Sequence, residues 1–297
     1  IYLKGGFDSY SDFVFWWGSA VVAILITGGC ISMYTIWVLS MYGQNIGVSL
    51  GDRLFRFYIN KDWIFHTRER SSLLTKHIIA EANRVKNGII VPVLQLNARL
   101  FAALFISISL LLYEPLKSLA VLSVFAICYA TVYSLIAARL SANGTKISSA
   151  LEMRYHLISE GLGGIRDVLL HRNQKGYSER FKEVGSGLAY NQGEAVALSQ
   201  MPRYLMEALA FGGVVLLMTY LAGQEGEFSN TLALLSVYAL AGLKLLPACQ
   251  AIYANLSTIK SHLPAFDAIE QDLLDLRNDA DSGEKRGAPK IRLDHMR

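Results

Sequence analysis

The chain has 297 residues, 53% of them hydrophobic and 18% charged, with a formal net charge of +4. A soluble domain of this size carries about 25% charged residues. Here long runs hold almost no charge while others are dense with Lys and Arg, which points to a membrane and away from nucleic acid.

Crossing the hydrocarbon core takes about 20 apolar residues, and five stretches meet that length. The first covers about 13–42 and opens on Phe15, Trp16 and Trp17, an aromatic cluster suited to the membrane–water boundary. Gly28 and Gly29 inside it allow close packing or a bend. The second and third, about 89–113 and 116–138, are separated by little more than Glu114 and Pro115. Proline there stops one helix or starts the next, so the pair is a tight hairpin. The fourth and fifth, about 204–222 and 232–256, flank a short polar turn. Residues 43–86 hold eight Lys and Arg and 139–203 hold nine, whereas the two tight turns hold only Lys117. Basic loops stay in the cytoplasm, so residue 1 starts outside and the C-terminus ends inside.

Two loops this long need structure of their own. Leu151, Tyr155, Ile158 and Leu162 recur at helical spacing. Each long loop therefore reads as two helical extensions of membrane helices with a short crossing element at the tip. The tail changes character: 276–290 has the composition of a linker, with Gly283, Gly287 and Pro289. Residues 291–297 then alternate apolar and polar like the start of a strand. Cys30, Cys128 and Cys249 lie far apart in apolar runs and read as small buried hydrophobes. The six histidines have no metal-ligand spacing. The triplets at Asn143 and Asn255 match a glycosylation acceptor by chance, being cytoplasmic or at a helix end. The chain opens on Ile1 without a signal peptide.

This layout resembles the transmembrane domain of type IV ABC exporters, in which six membrane helices precede a nucleotide-binding domain. Leu54-Phe55-Arg56-Phe57-Tyr58-Ile59-Asn60-Lys61-Asp62-Trp63-Ile64-Phe65-His66 is similar to the family's first intracellular loop. The resemblance implies a coupling helix there over about 61–67, with Asp62, Trp63, Phe65 and His66. Ser159-Glu160-Gly161-Leu162-Gly163-Gly164-Ile165-Arg166-Asp167-Val168-Leu169-Leu170 is similar to the second loop. It implies a second coupling helix near 163–170, with Gly163, Gly164, Ile165, Arg166 and Asp167. The stretches 197–207 and 238–248 are similar to the last two membrane helices of the lipid-linked-oligosaccharide flippase branch. The fold expected is all-α and membrane-embedded. Residues 1–275 would form an exporter-type transmembrane domain lacking the first of six helices, 276–290 the linker, and 291–297 the start of an absent nucleotide-binding domain. No G-x-x-x-x-G-K-[ST] loop occurs in the chain. No cofactor is thus expected on this chain, and ATP and Mg belong to the following domain.

Three charges sit inside the apolar stretches, where each costs roughly 2.5–3.5 kcal/mol on insertion scales. Arg99, Glu207 and Lys244 share a layer roughly 22–28 Å below the outer face at about 1.5 Å per residue. Arg203 lies one turn below Glu207 on the same face. Such a layer would line an inward-open cavity and hold a diphosphate headgroup, with Arg as a bidentate fork. The plainer alternative is that Glu207 pairs with Lys244 or Arg203 while Arg99 snorkels to the interface. At the loop tips, Trp63, Phe65 and Ile165 would dock into the nucleotide-binding domain, or simply sit in a solvated basic surface. The expected protein is a homodimeric half-transporter of a bacterial inner membrane. It would move a polyprenyl-pyrophosphate-linked oligosaccharide, with bilayer and nucleotide-binding domain as partners. Export of another lipid, drug or peptide is the alternative on the same fold, and a non-transporting membrane scaffold is the alternative in kind.

Overall fold

The computed structural model describes residues 10–113, 115–222 and 228–285, and every described element is helical. The helices are α1 (Tyr10–Ile59), α2 (Trp63–Arg68), α3 (Ser71–Thr75), π1 (Lys76–Glu81), α4 (Ala82–Val85), π2 (Lys86–Ile90), α5 (Val91–Tyr113), α6 (Pro115–Gly163), α7 (Ile165–Leu170), α8 (Gln174–Ala222) and α9 (Phe228–Lys285). The chain divides into two units, residues 1–45 and 46–297, with the boundary inside α1.

The first unit is an apolar helical stretch. Its hydroxyls are turned back onto its own backbone: Thr27 donates to the Ala23 carbonyl at 2.9 Å, Ser32 to Gly28 at 2.8 Å and Thr35 to Ile31 at 2.8 Å. A lipid environment requires this, since no water is present to satisfy a free hydroxyl.

In the second unit the same device recurs at Ser109, Thr131 and Thr219, each bonded to the carbonyl four residues back. Large apolar side chains on α5, α6 and α8 stay exposed, among them Phe105, Leu135 and Val215. A surface of that kind meets lipid or a partner, not water. Among the described residues, Phe15–Ile59, Ser71–Leu112 and Leu122–Gly163 are long and apolar enough to cross a membrane. The fourth and fifth expected spans fall on the C-terminal end of α8 and the N-terminal half of α9. Pro115 opens α6 where its missing N–H costs nothing, and Ser118 donates to the Leu110 carbonyl at 2.9 Å across the turn.

Both long loops are helical hairpins with a one-to-two-turn helix across the tip. α2 starts two residues later than the expected 61–67, because Asp62 is extended and serves as N-cap. α7 starts at Ile165; Gly163 closes α6 and Gly164 makes the break. Helix α9 continues to Lys285, so 276–285 of the expected linker is helical. Residues 286–297, including the expected strand at 291–297, lie outside the described residues.

Past the apolar stretches 13–42, 89–113 and 232–256 a core forms from Leu54 and Tyr58 of α1, Ala82 and Val85 of α4, and Ala265 and Ile269 of α9. Glycines let the helices meet there. A Cβ on Gly88 would lie 2.1 Å from the His262 ring, so π2 accepts the imidazole only without a side chain. His262 is held neutral: burial lowers its pKa and the nearby Arg84 charge adds to this, against its bond to the Thr258 carbonyl. A histidine with its folded pKa below the unfolded value of about 6.5 stabilises the fold above that pH and loses the contribution as pH falls. The Tm difference between wild type and His262→Gln, measured in detergent, should therefore shrink as pH is lowered from about 7.5 to 5.5.

Candidate functional site

At the tip of the first hairpin, α2 splits its side chains between two environments. Trp63 is 80% exposed and Ile64 62% exposed. Phe65 faces the other way, half-buried, stacked on Tyr58 with ring centroids 6.1 Å apart and planes at 16°. His66 is exposed and meets Phe65 edge-on at 5.4 Å. Asp62 makes no side-chain cap bond. Of the residues expected to dock a partner here, Trp63 is free to do so and Phe65 instead fastens α2 to α1.

The second tip follows the same plan. Val168 is buried while Ile165, Leu169 and Leu170 are exposed. Arg166 and Asp167 are exposed too. A Cβ on Gly164 would come within 3.0 Å of the Glu160 carbonyl, so the sharp exit from α6 is easiest with glycine. Arg172, just past α7, adopts a left-handed φ of 52°. Each tip thus presents exposed apolar knobs on a charged surface, held from behind by one inward apolar residue.

The membrane-depth charges separate into two kinds. Arg203 Nε donates to Glu207 Oε1 at 2.8 Å, and Gln250 of α9 donates to the same oxygen at 3.2 Å. Pro202 lacks an N–H, which frees the Leu198 carbonyl four residues back; Tyr253 Oη donates to that carbonyl at 3.3 Å. Glu207 therefore pairs with Arg203, not Lys244, and α8 and α9 are stitched at two levels. Arg99 and Lys244 are exposed on α5 and α9 and form no ion pair among the described residues.

The densest charge chemistry lies at residues that no motif or spacing singles out. Lys76 (3% exposed), Glu81 (0%) and Arg84 line one side of the second hairpin limb, facing α6. Lys76 Nζ is 3.2 Å from Glu81 Oε1 and 3.5 Å from Glu152 Oε2. Arg84 Nη1 donates to Glu81 Oε2 at 2.7 Å, and Arg84 Nη2 to the Gly144 carbonyl at 3.2 Å. Ser148 Oγ also donates to Glu81. On the other side, Tyr58 Oη donates to Asp272 of α9, and His77 Nδ1 lies 3.1 Å from Tyr58 Oη and 3.2 Å from Asp272. That geometry places the imidazole proton on Nδ1. A third link joins α6 to α8: Asn143 donates to Glu194 at 2.9 Å and Arg139 pairs with it at 2.7 Å. Asn143, part of a chance glycosylation triplet in the sequence, is 2% exposed.

A family model for the ABC transporter transmembrane region matches residues 3–224. The match ends just past α8, and α9 completes the packing of α5, α6 and α8 beyond it.

Proposed function

The chain belongs to the family of ABC transporter transmembrane regions, and on that premise we propose that it flips a polyprenyl-pyrophosphate-linked oligosaccharide as half of a homodimer. It is the membrane part of an ABC exporter, a multi-pass membrane protein that works with a nucleotide-binding domain. The finer reading is that residues 1–275 serve as transmembrane domain and 276–297 lead into that ATPase. The C-terminus is cytoplasmic, as the loop charges support, in a bacterial inner membrane.

The substrate reading rests on one observation: Arg99 and Lys244 are exposed and form no ion pair among the described residues, within the apolar stretches 89–113 and 232–256. A cation that costs several kcal/mol at membrane depth and has no internal partner is retained for an external one. A diphosphate headgroup supplies two or more oxygens to such donors. Arg203 is already neutralised by Glu207 and shapes the wall. The test is ATP hydrolysis by the full-length protein in lipid, with and without the polyprenyl-pyrophosphate oligosaccharide. Arg99→Gln with Lys244→Gln should abolish stimulation and leave basal hydrolysis unchanged. Stimulation that survives the double substitution sinks the headgroup role. Hydrolysis indifferent to that lipid in the wild type redirects the exporter to another lipid, drug or peptide.

In this reading Trp63 and Ile165 fill apolar pockets of the nucleotide-binding domain, with Asp62, His66, Arg166 and Asp167 as polar rim and the Gly163–Gly164 break setting the angle of α7. Buried aromatic anchors of this kind contribute about 2 kcal/mol or more. Trp63→Ala should leave Tm unchanged and cut transport-coupled hydrolysis at least tenfold. Phe65→Ala should lower Tm as well, since its ring packs inside.

A further inference from the structure

π1 has two faces, and each is bound to a different part of the intracellular region. One face carries Lys76 and Glu81, tied to Ser148 and Glu152 of α6, the helix that leads to α7. The other carries His77, tied to Tyr58 of α1 and Asp272 of α9. Tyr58 in turn has Phe65 of α2 stacked on its ring. Tyr58 is 3% exposed and belongs to the core that α1, α4 and α9 share, so it has no slack. Resting on the exporter reading above, we infer that π1 locks both coupling hairpins and α9 into one rigid body, with Tyr58, His77 and Asp272 as the positioning residues that carry movement of α2 into α9.

The geometry explains why a π-winding sits here. Hydrogen bonds from i to i+5 widen the turn and bring residues five apart onto one side. Lys76 and Glu81 are five apart and pair directly; in an α-helix they would point about 140° from each other. The winding therefore lets one short segment hold α6 with one face and α1 and α9 with the other. A two-state movement needs such a body, since packed cores shift as units and do not deform continuously. α9 runs from Asp272 back to Gln250 and Lys244 through Pro264 and Pro247, so the body held at Asp272 extends to Pro264, where the missing N–H lets the helix bend.

The test uses the full-length protein in lipid nanodiscs, with Cys30, Cys128 and Cys249 replaced by Ala. Spin labels at Ile64→Cys (α2) and Asp275→Cys (α9) report one distance, and Ile64→Cys with Leu169→Cys (α7) a second. In the wild type each pair should keep the same centre and width in the nucleotide-free and ATP–vanadate states. Tyr58→Phe keeps the stacked ring and removes only the hydroxyl; Asp272→Leu removes the acceptor; Asp272→Asn keeps one. The first two should broaden the 64–275 distance and let nucleotide shift it by about one helical turn, ~5 Å. Asp272→Asn should restore wild-type behaviour, which a purely packing role for residue 272 would not require. A wild-type distance that already changes with nucleotide overturns the rigid body, as does a Tyr58→Phe protein indistinguishable from wild type. Should Asp272→Leu not fold, Tyr58→Phe decides alone. A wild type that never hydrolyses ATP would count against the exporter reading only, because the nucleotide-free widths still report the junction.

Discussion

Glu81→Ala should destabilise the protein by about 3–5 kcal/mol, the largest loss expected from any single charge removal in the chain. Glu81 is fully buried and accepts from Lys76, Arg84 and Ser148 at once. Removing it leaves Lys76, itself 3% exposed, with only Glu152 at 3.5 Å and Arg84 with only the Gly144 carbonyl at 3.2 Å, two cations beside an emptied carboxylate site. The damage comes from those under-compensated buried cations more than from the lost bonds. Three variants separate the two. Glu81→Gln keeps acceptor geometry without charge and should be intermediate. Lys76→Met with Glu81→Leu removes one cation and the anion, and adding Arg84→Met removes the second cation. Stability should recover along that series, because an apolar triad of similar volume replaces a buried ionic one at little cost. Thermal unfolding in detergent reads the order. Salt should not alter it, since screening acts on exposed charges. A Glu81→Ala protein within about 1 kcal/mol of wild type would mean that water reaches Lys76 and Arg84.

The contrast between that cluster and the exposed cations shows what a sequence carries. Hydropathy runs and loop charge predict the membrane helices, since lipid filters residues along one dimension. The helical limbs follow from 3.6-residue periodicity, as at Leu151, Tyr155, Ile158 and Leu162, whereas the tip helices near 61–67 and 163–170 come from the resemblance to ABC exporters. The π-wound turn does not, because Lys76 and Glu81 look mismatched at helical spacing. Phe65 misleads for a related reason: an aromatic on a charged loop reads as an exposed knob, and only the nearness of Tyr58 turns it inward. Asn143 and Glu194 are 51 residues apart and meet because α6 and α8 pack side by side. The pairing of Glu207 was legible as a choice, and the i,i+4 spacing to Arg203 decided it over Lys244. That outcome matters for function, because it leaves Lys244 available.

Gly144→Val should prevent α6 and α9 from packing, and Gly144→Ala should lower Tm sharply. A Cβ on Gly144 would lie 2.1 Å from the Ser261 carbonyl oxygen and 3.0 Å from its carbon, with Pro264 Cδ at 3.1 Å. The obstructing atoms are helix backbone, so no rotamer change relieves them and one helix must move outward. Movement of even 1 Å also stretches the bond from Arg84 to the Gly144 carbonyl, already 3.2 Å long. Overpacking typically costs 1–3 kcal/mol; the coupled loss of a charged hydrogen bond places Gly144→Ala at or above the upper end, about 3 kcal/mol. Gly187 of α8 supplies the control, because a Cβ there meets nothing within 4 Å. Gly187→Ala should raise stability by about 0.5–1 kcal/mol through helix propensity and the restricted unfolded chain. Opposite signs for the same chemical change, read as Tm in one detergent, would establish that glycine at 144 is there for the close approach of two helices and not for helix flexibility. Two gains of equal size would instead mean that α6 and α9 already have room between them, and that the second hairpin can slide along α9.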